Sequence, residues 1–157
     1  MIYLVFFILV FALIQFLVSL TNLIFIQKLK FNETSQNELV SVLIPARNEE
    51  NNIGNILDDL INQTHKNIEI IVFDDNSDDN TNLIVTNYSK FDNRIKLITS
   101  EVLPADWKGK NHACYNLAQN ANGKYFLFID ADVRLNKNAI SKTIFYLKNK
   151  KLGLLSI

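Results

Sequence analysis

Asp130 and Asp132 close the apolar run Phe126-Leu127-Phe128-Ile129 and stand one alanine apart. Two carboxylates that close repel each other unless a cation lies beside them. Hard oxygen donors suit Mg²⁺ or Mn²⁺, and either ion can in turn hold a diphosphate. A buried strand whose extended backbone continues through Asp132 would set both carboxylates on one face, because strand side chains alternate. It would also carry them to the carboxyl edge of a sheet, where open α/β sheets take their ligands. An acidic strand-to-loop turn that binds nothing is the competing explanation, and the pair's company along the chain favours the cation.

Two other apolar runs end in the same manner. Leu39-Val40-Ser41-Val42-Leu43-Ile44 delivers Pro45-Ala46-Arg47-Asn48-Glu49-Glu50, and Ile68-Glu69-Ile70-Ile71-Val72-Phe73 delivers Asp74-Asp75. A carboxylate such as Asp75 can accept a hydrogen from a nucleobase, another can accept ribose hydroxyls, and a cation can neutralise phosphates. Helix capping accounts for one acid of the Asp74-Asp75 pair without any ligand. It does not account for acidic clusters at two separate strand ends. Lys108 and Lys110 flank Gly109; a glycine lets backbone approach a phosphate and a lysine adds a point charge. No Walker A pattern and no G-x-G-x-x-G is present. His112 reads as structural, and with Cys114 two positions on and no second pair it makes no zinc site. Trp107 is open to two roles, stacking on a base or sugar and covering the core edge.

The elements that must position these groups alternate. After the Leu39 to Ile44 strand, Ile53, Ile56, Leu57, Leu60 and Ile61 recur at helical spacing. Beyond the Ile68 to Phe73 strand, Asn76 to Thr81 supplies turn and cap chemistry, and a helix follows with Leu83, Ile84 and Tyr88 inward. Ile95 to Thr99 is a third strand. A loop then leads to a helix with Ala113, Cys114, Leu117, Ala118 and Ala121 on one side and Gly123 as its C-cap. The Tyr125 to Ile129 strand, a helix from about Asn138 to Asn149 and a last apolar strand over Leu152 to Ile157 complete the series. Strands alternating with helices of this length predict βαβ units and a mostly parallel sheet, an α/β class of Rossmann-like form.

Before all this, Met1 to Ile26 contains no charged residue. Such a length as a helix exceeds a hydrocarbon core of ~30 Å. A cleaved signal peptide fits poorly, because no basic n-region precedes the run and no small-x-small site follows it. Residues 1–27 are therefore expected to be a transmembrane anchor and 28–38 a polar linker. Lys28 and Lys30 follow the helix with nothing basic before it, which by the positive-inside rule places the remainder on the cytoplasmic side of the cell membrane, single-pass. Lys+Arg and Asp+Glu balance at 16 each, with no basic stripe, so no nucleic acid is expected as a partner. The single cysteine agrees with a reducing compartment.

Together these stretches resemble the inverting family 2 glycosyltransferases of GT-A fold. The resemblance runs from Val40 to Ile157 and rests on Val42 to Glu50, Val72 to Asp79 and Asp130-Ala131-Asp132. Trp107 to Cys114 and Gly153-Leu154-Leu155-Ser156 are most similar to the membrane-associated enzymes that glycosylate carotenoid acids, the 4,4'-diaponeurosporenoate type, and to hopanoid-associated glycosyltransferases. The resemblance implies a GT-A domain over 39–157 and a UDP-sugar donor. It implies that Pro45, Ala46 and Glu49 line the nucleotide pocket, that Asp75 contacts uracil, and that Asp130 faces ribose and diphosphate. Asp132 would ligate Mg²⁺ or Mn²⁺, with Lys110 near the diphosphate. A lipid or carotenoid-acid acceptor at the membrane is the implied partner. A polyprenyl-phosphate sugar transferase and a non-catalytic nucleotide-sugar binder are the alternatives within this fold. A signalling receiver domain is disfavoured, since its acidic pair belongs after the first strand. No Asp or Glu follows Asp132, so the resemblance further implies that the catalytic base lies beyond this chain, which by itself is expected to bind donor with little transfer.

Overall fold

The computed structural model describes residues 2–24, 38–100, 107 and 109–156. Residues 28–37 of the expected linker over 28–38, with Lys28 and Lys30, residues 25–27 of the expected anchor, and Lys108 lie outside the described residues. Contacts divide the chain into two units, Met1–Lys30 and Phe31–Ile157. In the first, α1 (Ile2–Ile24) is a single helix of 23 residues that is long and apolar enough to cross a membrane.

The second unit is built on one parallel sheet. Its strands are β1 (Val40–Ala46), β2 (Ile68–Asp74), β3 (Ile95–Thr99) and β4 (Tyr125–Phe128), in the order β3-β2-β1-β4. Register pairs Val40 with Ile68 and with Tyr125, and Ile70 with Ile95. The helices are α2 (Ile53–Ile61), α3 (Thr81–Phe91), α4 (Gly109–Gln119) and α5 (Ala139–Lys150). Because strand side chains alternate, Val40, Val42, Ile44, Ile68, Ile70 and Val72 face one way and pack on Ile53, Ile56, Leu57, Leu60, Val85, Ile140 and Ile144. The opposite residues Leu43, Ile71 and Phe73 pack on Ala113 and Leu117 of α4. Of the α2 stripe, Ile53, Ile56, Leu57 and Leu60 are buried as their spacing predicts, each contributing about 1.5–3 kcal/mol, and Ile61 is half-buried.

Four expectations need correction. Leu83 of α3 is exposed, and Thr81 and Val85 take the inward positions beside half-buried Ile84 and Tyr88. Leu152 to Ser156 forms no strand and Leu154 is 87% exposed. β4 is not a buried strand: it lies at the sheet edge, beyond the reach of α4, so Phe126 and Phe128 are half exposed. Gly123 is not a helix cap, since α4 ends at Gln119. What requires glycine there is close approach. A Cβ on Gly123 would lie 2.5 Å from both the backbone nitrogen and Oγ of Ser41, and the Gly123 N–H donates to Ser41 Oγ at 2.8 Å. Gly123→Ala must displace β1 backbone, and its expected destabilisation is about 1–3 kcal/mol or more. A thermal melt superimposable on that of the parent chain would show that the approach is not needed.

The same corner holds a buried acid. Glu69 accepts from Ser41 Oγ at 2.6 Å, the Asn122 N–H at 2.6 Å and Lys96 Nζ at 3.1 Å. This network pins the amino edge of β1 and β2 to the turn before β4.

Candidate functional site

The loops at the carboxyl edge are welded to one another, and the weld sorts the acids. After β1, the N–H groups of Asn48, Glu49 and Glu50 donate to Ser77 Oγ, Thr81 Oγ1 and Asp79 Oδ2 at 2.9, 2.8 and 3.0 Å. The Asp78 N–H returns a bond to Asn48 Oδ1 at 2.9 Å. Asn48 and Asn76 both sit in the left-handed region, with φ of 56° and 55°, which asparagine tolerates better than most residues. Asp74 belongs to this weld. It is 3% exposed and accepts from the Ser77 N–H and hydroxyl and from Asn82 Nδ2. Its neighbour Asp75 is tied to β1 by its backbone, the N–H donating to Ala46 O at 2.9 Å, and its carboxylate turns into a cleft.

That cleft has a volume of about 510 Å³. β1 and its loop supply Pro45, Ala46, Arg47 and Glu49, β2 supplies Asp75, and α4 supplies Gly109, Lys110 and Ala113. Asp130, Ala131 and Asp132 complete its lining. The structure therefore brings together every residue singled out from the sequence as lining a nucleotide pocket or ligating a cation: Pro45, Ala46, Glu49, Asp75, Lys110, Asp130 and Asp132.

The route by which the two aspartates meet differs from expectation. β4 ends at Phe128 and the backbone turns, with the Val133 N–H donating to Asp130 O at 3.3 Å. Asp130 and Asp132 are not on an extended strand. They share a side because Ala131 between them is driven into the core, at 3% exposure.

Cations already attend these acids. Lys110 Nζ lies 2.8 Å from Asp130 Oδ1, and that hydrogen bond holds the lysine's pKa above its usual value. Both groups are more than half exposed, so the pair stabilises the fold little. Arg47 stands 3.8 Å from Asp75. Sequence reasoning gave Arg47 no role; its position two residues after Pro45 was the available signal. Glu49 accepts from Asn52 Nδ2 at 2.8 Å.

Gly109 and Lys110 open α4, so the helix presents its N-terminal turn to the cleft, where backbone N–H groups and the macrodipole favour an anion. A Cβ on Gly109 would lie 2.6 Å from Asp75 Oδ2, so a larger residue there would push that carboxylate aside. Behind it, Trp107 and Tyr115 are tilted rings 5.2 Å apart, and His112 packs edge-on between Phe73 and Trp107 at 5.9 and 5.7 Å. His112 is thus placed in packing, as its sequence suggested.

The donor set can be tested for a cation by its chemistry. No group of three or more His, Cys, Asp or Glu residues forms a metal cage among the described residues. Asp130 and Asp132 offer oxygen donors only, on an open wall. This fits Mg²⁺ or Mn²⁺ held by one or two carboxylates together with phosphate oxygens and water, and does not fit a cation held by protein alone.

Residues 41–155 match the family Glycosyl transferase family 2. A 4,4'-diaponeurosporenoate glycosyltransferase of Staphylococcus aureus (strain bovine RF122 / ET3-1) is 37% identical over 134 residues, covering 82% of this chain and 32% of that protein. The chain thus spans about a third of the length of such curated relatives. Among solved structures, residues 1–349 of S. aureus TarS superpose with a TM-score of 0.61 at 26% identity, over 70% of this chain and 32% of that one. The same protein is also known in complex with UDP-GlcNAc. A mannosyltransferase from Pyrobaculum calidifontis, in complex with GDP-Man and Mn²⁺, gives a TM-score of 0.62 at 24% identity, over 69% of this chain and 32% of that one, which speaks to fold alone.

Proposed function

The chain belongs to glycosyl transferase family 2, and from that premise we propose that residues 39–157 are the donor-binding part of a glycosyltransferase that uses a UDP-sugar. The observation that carries this reading is a cleft at the carboxyl edge where Asp75, Lys110, Asp130 and Asp132 converge from three different elements. Asp75, left free of the Asp74 weld, accepts the imide hydrogen of uracil. Pro45, Ala46 and Glu49 wall the base and ribose, and Asp130 faces ribose and diphosphate. Lys110 and the N-terminal turn of α4 hold the diphosphate by charge and by N–H donation. Asp132, beside Asp130, would hold Mg²⁺ or Mn²⁺, which when bound offsets the negative charge that grows on the departing UDP.

Transfer breaks the anomeric C–O bond, its electron pair leaving on the β-phosphate oxygen, while an acceptor oxygen bonds the same carbon from the opposite face and inverts it. The relatives' substrate is a carotenoid carboxylic acid by name. A carboxylate of ordinary pKa is already ionised at neutral pH and attacks without a base; a hydroxyl acceptor requires one. A lipid-type acceptor, carotenoid acid or similar, accords with the apolar helix Ile2–Ile24, read as a single-pass anchor with the domain on the cytoplasmic face.

Calorimetric titration of the full chain in detergent with UDP, GDP and ADP, each with Mn²⁺, tests the donor reading. UDP is expected to bind best, and Asp75→Ala to weaken it by about tenfold or more, the value of one hydrogen bond to a charged group. Equal binding of all three nucleotides, or of none, overturns the assignment.

A further inference from the structure

The turn that carries Asp130 and Asp132 is open to solvent on one side, so something must fix its far end. That function falls to the last turns of α2. Arg134 donates to Asp59 in bidentate fashion, Nε to Oδ2 at 2.7 Å and Nη2 to Oδ1 at 2.9 Å. The Leu135 N–H donates to the same Oδ2 at 2.9 Å. One helical turn further on, wholly buried Gln63 donates to Asn136 O at 3.0 Å and accepts from the Ile140 N–H at 3.3 Å. The Thr64 N–H donates to Lys137 O at 2.8 Å. A helix whose start follows the Glu49 loop thereby grips, at its end, the backbone that leaves Asp132.

We propose that Asp59 is a positioning residue for the turn that carries the two carboxylates, holding the chain two and three residues after Asp132 so that Asp132 stays in place for a cation. This rests on the donor-site reading above. Asp59 does not line the cleft and can act only through the loop. The geometry is well suited to that purpose. A bidentate guanidinium–carboxylate pair fixes orientation as well as distance, and the added backbone bond ties it to the main chain. Groups bonded directly to a metal ligand typically cost ten- to a hundredfold in metal affinity when lost, and Asp59, which acts through the backbone after Asp132, has that range as its upper scale.

Two measurements on the full chain in detergent separate this proposal from the donor reading. Amide hydrogen exchange over residues 130–135 needs no ligand. In Asp59→Ala it is expected to be several-fold faster there, with the sheet unchanged; unchanged exchange in the loop overturns the latch whatever the cleft binds. UDP titration with Mn²⁺ and with EDTA then tests its purpose. Asp59→Ala is expected to weaken UDP binding with Mn²⁺, by at most about ten- to a hundredfold, and to leave binding in EDTA as in the parent. An equal loss in both, or none in either, overturns positioning of the metal carboxylates. A parent chain that binds no UDP removes the donor reading, and the assigned purpose of Asp59 with it, while the exchange result still reports on the latch. Should Asp59→Ala not fold, Arg134→Gln, which spares the Asp59 bond to the Leu135 N–H, is read by the same criteria.

Discussion

Asp132→Asn is expected to abolish the Mn²⁺-dependent part of UDP binding, a loss of about a hundredfold or more, ~3 kcal/mol. The carboxamide keeps the shape of the side chain and removes its charge. Asp130 cannot substitute fully, because Lys110 already engages it at 2.8 Å. Asp132 is exposed on the cleft wall and makes no hydrogen bond or ion pair with the protein among the described residues. A surface substitution of that kind alters stability by about 0.5 kcal/mol at most, so the melting temperature should stay with the parent while the metal-dependent titration collapses. Retention of Mn²⁺-dependent binding would assign the cation to other donors. A large fall in melting temperature would instead mark Asp132 as structural.

Glu69→Gln is expected to destabilise the domain by about 1.5–3 kcal/mol, the scale for hydrogen bonds to a charged group. Burial pushes the Glu69 carboxyl up, but the Ser41 hydroxyl, the Asn122 N–H, Lys96 and the Asn122 amide together outweigh it and bring it from 4.5 to about 2. A carboxyl depressed in the folded state stabilises above its unfolded value and loses that contribution as pH falls through the folded one. The parent chain should therefore lose stability between about pH 4.5 and pH 2, and Glu69→Gln should flatten part of that decline. Part remains, because Lys124 and Lys148 hold the carboxyl of Glu38 at about 2 as well. Denaturant melts across that range measure both effects. If Glu69→Gln matched the parent at neutral pH, the Ser41–Glu69–Asn122 corner would have no claim to fix the sheet.

These two acids also show why a neutral composition is a poor description of this molecule. The formal net charge is zero, yet Asp75, Asp130 and Asp132 gather beyond β2 and β4 in one cleft. At the opposite edge of the sheet Glu38, Glu69 and Asp92 are each paired with a basic side chain.

The alternation of strands and helices, the parallel sheet and the set of acids at its carboxyl edge were legible in the sequence, because hydrophobic periodicity and strand termination are local properties. Membership of a glycosyltransferase family was legible for a related reason: the stretches that carry the resemblance, at the ends of β1, β2 and β4, are short and local in the chain. Only the tertiary structure separated Asp74 from Asp75: the two are neighbours, yet Ser77 and Asn82 satisfy buried Asp74 while Asp75 faces the cleft. It alone turned the chain after Phe128, left Phe126 and Phe128 half exposed at an edge, and made Gly123 a contact residue. It also joined Asp59 to Arg134 across 75 positions and Gly123 to Ser41 across 82. Periodicity records which side of an element is apolar. Which polar group is consumed by the fold and which is left for a ligand depends on partners far along the chain, and that information exists only once they meet.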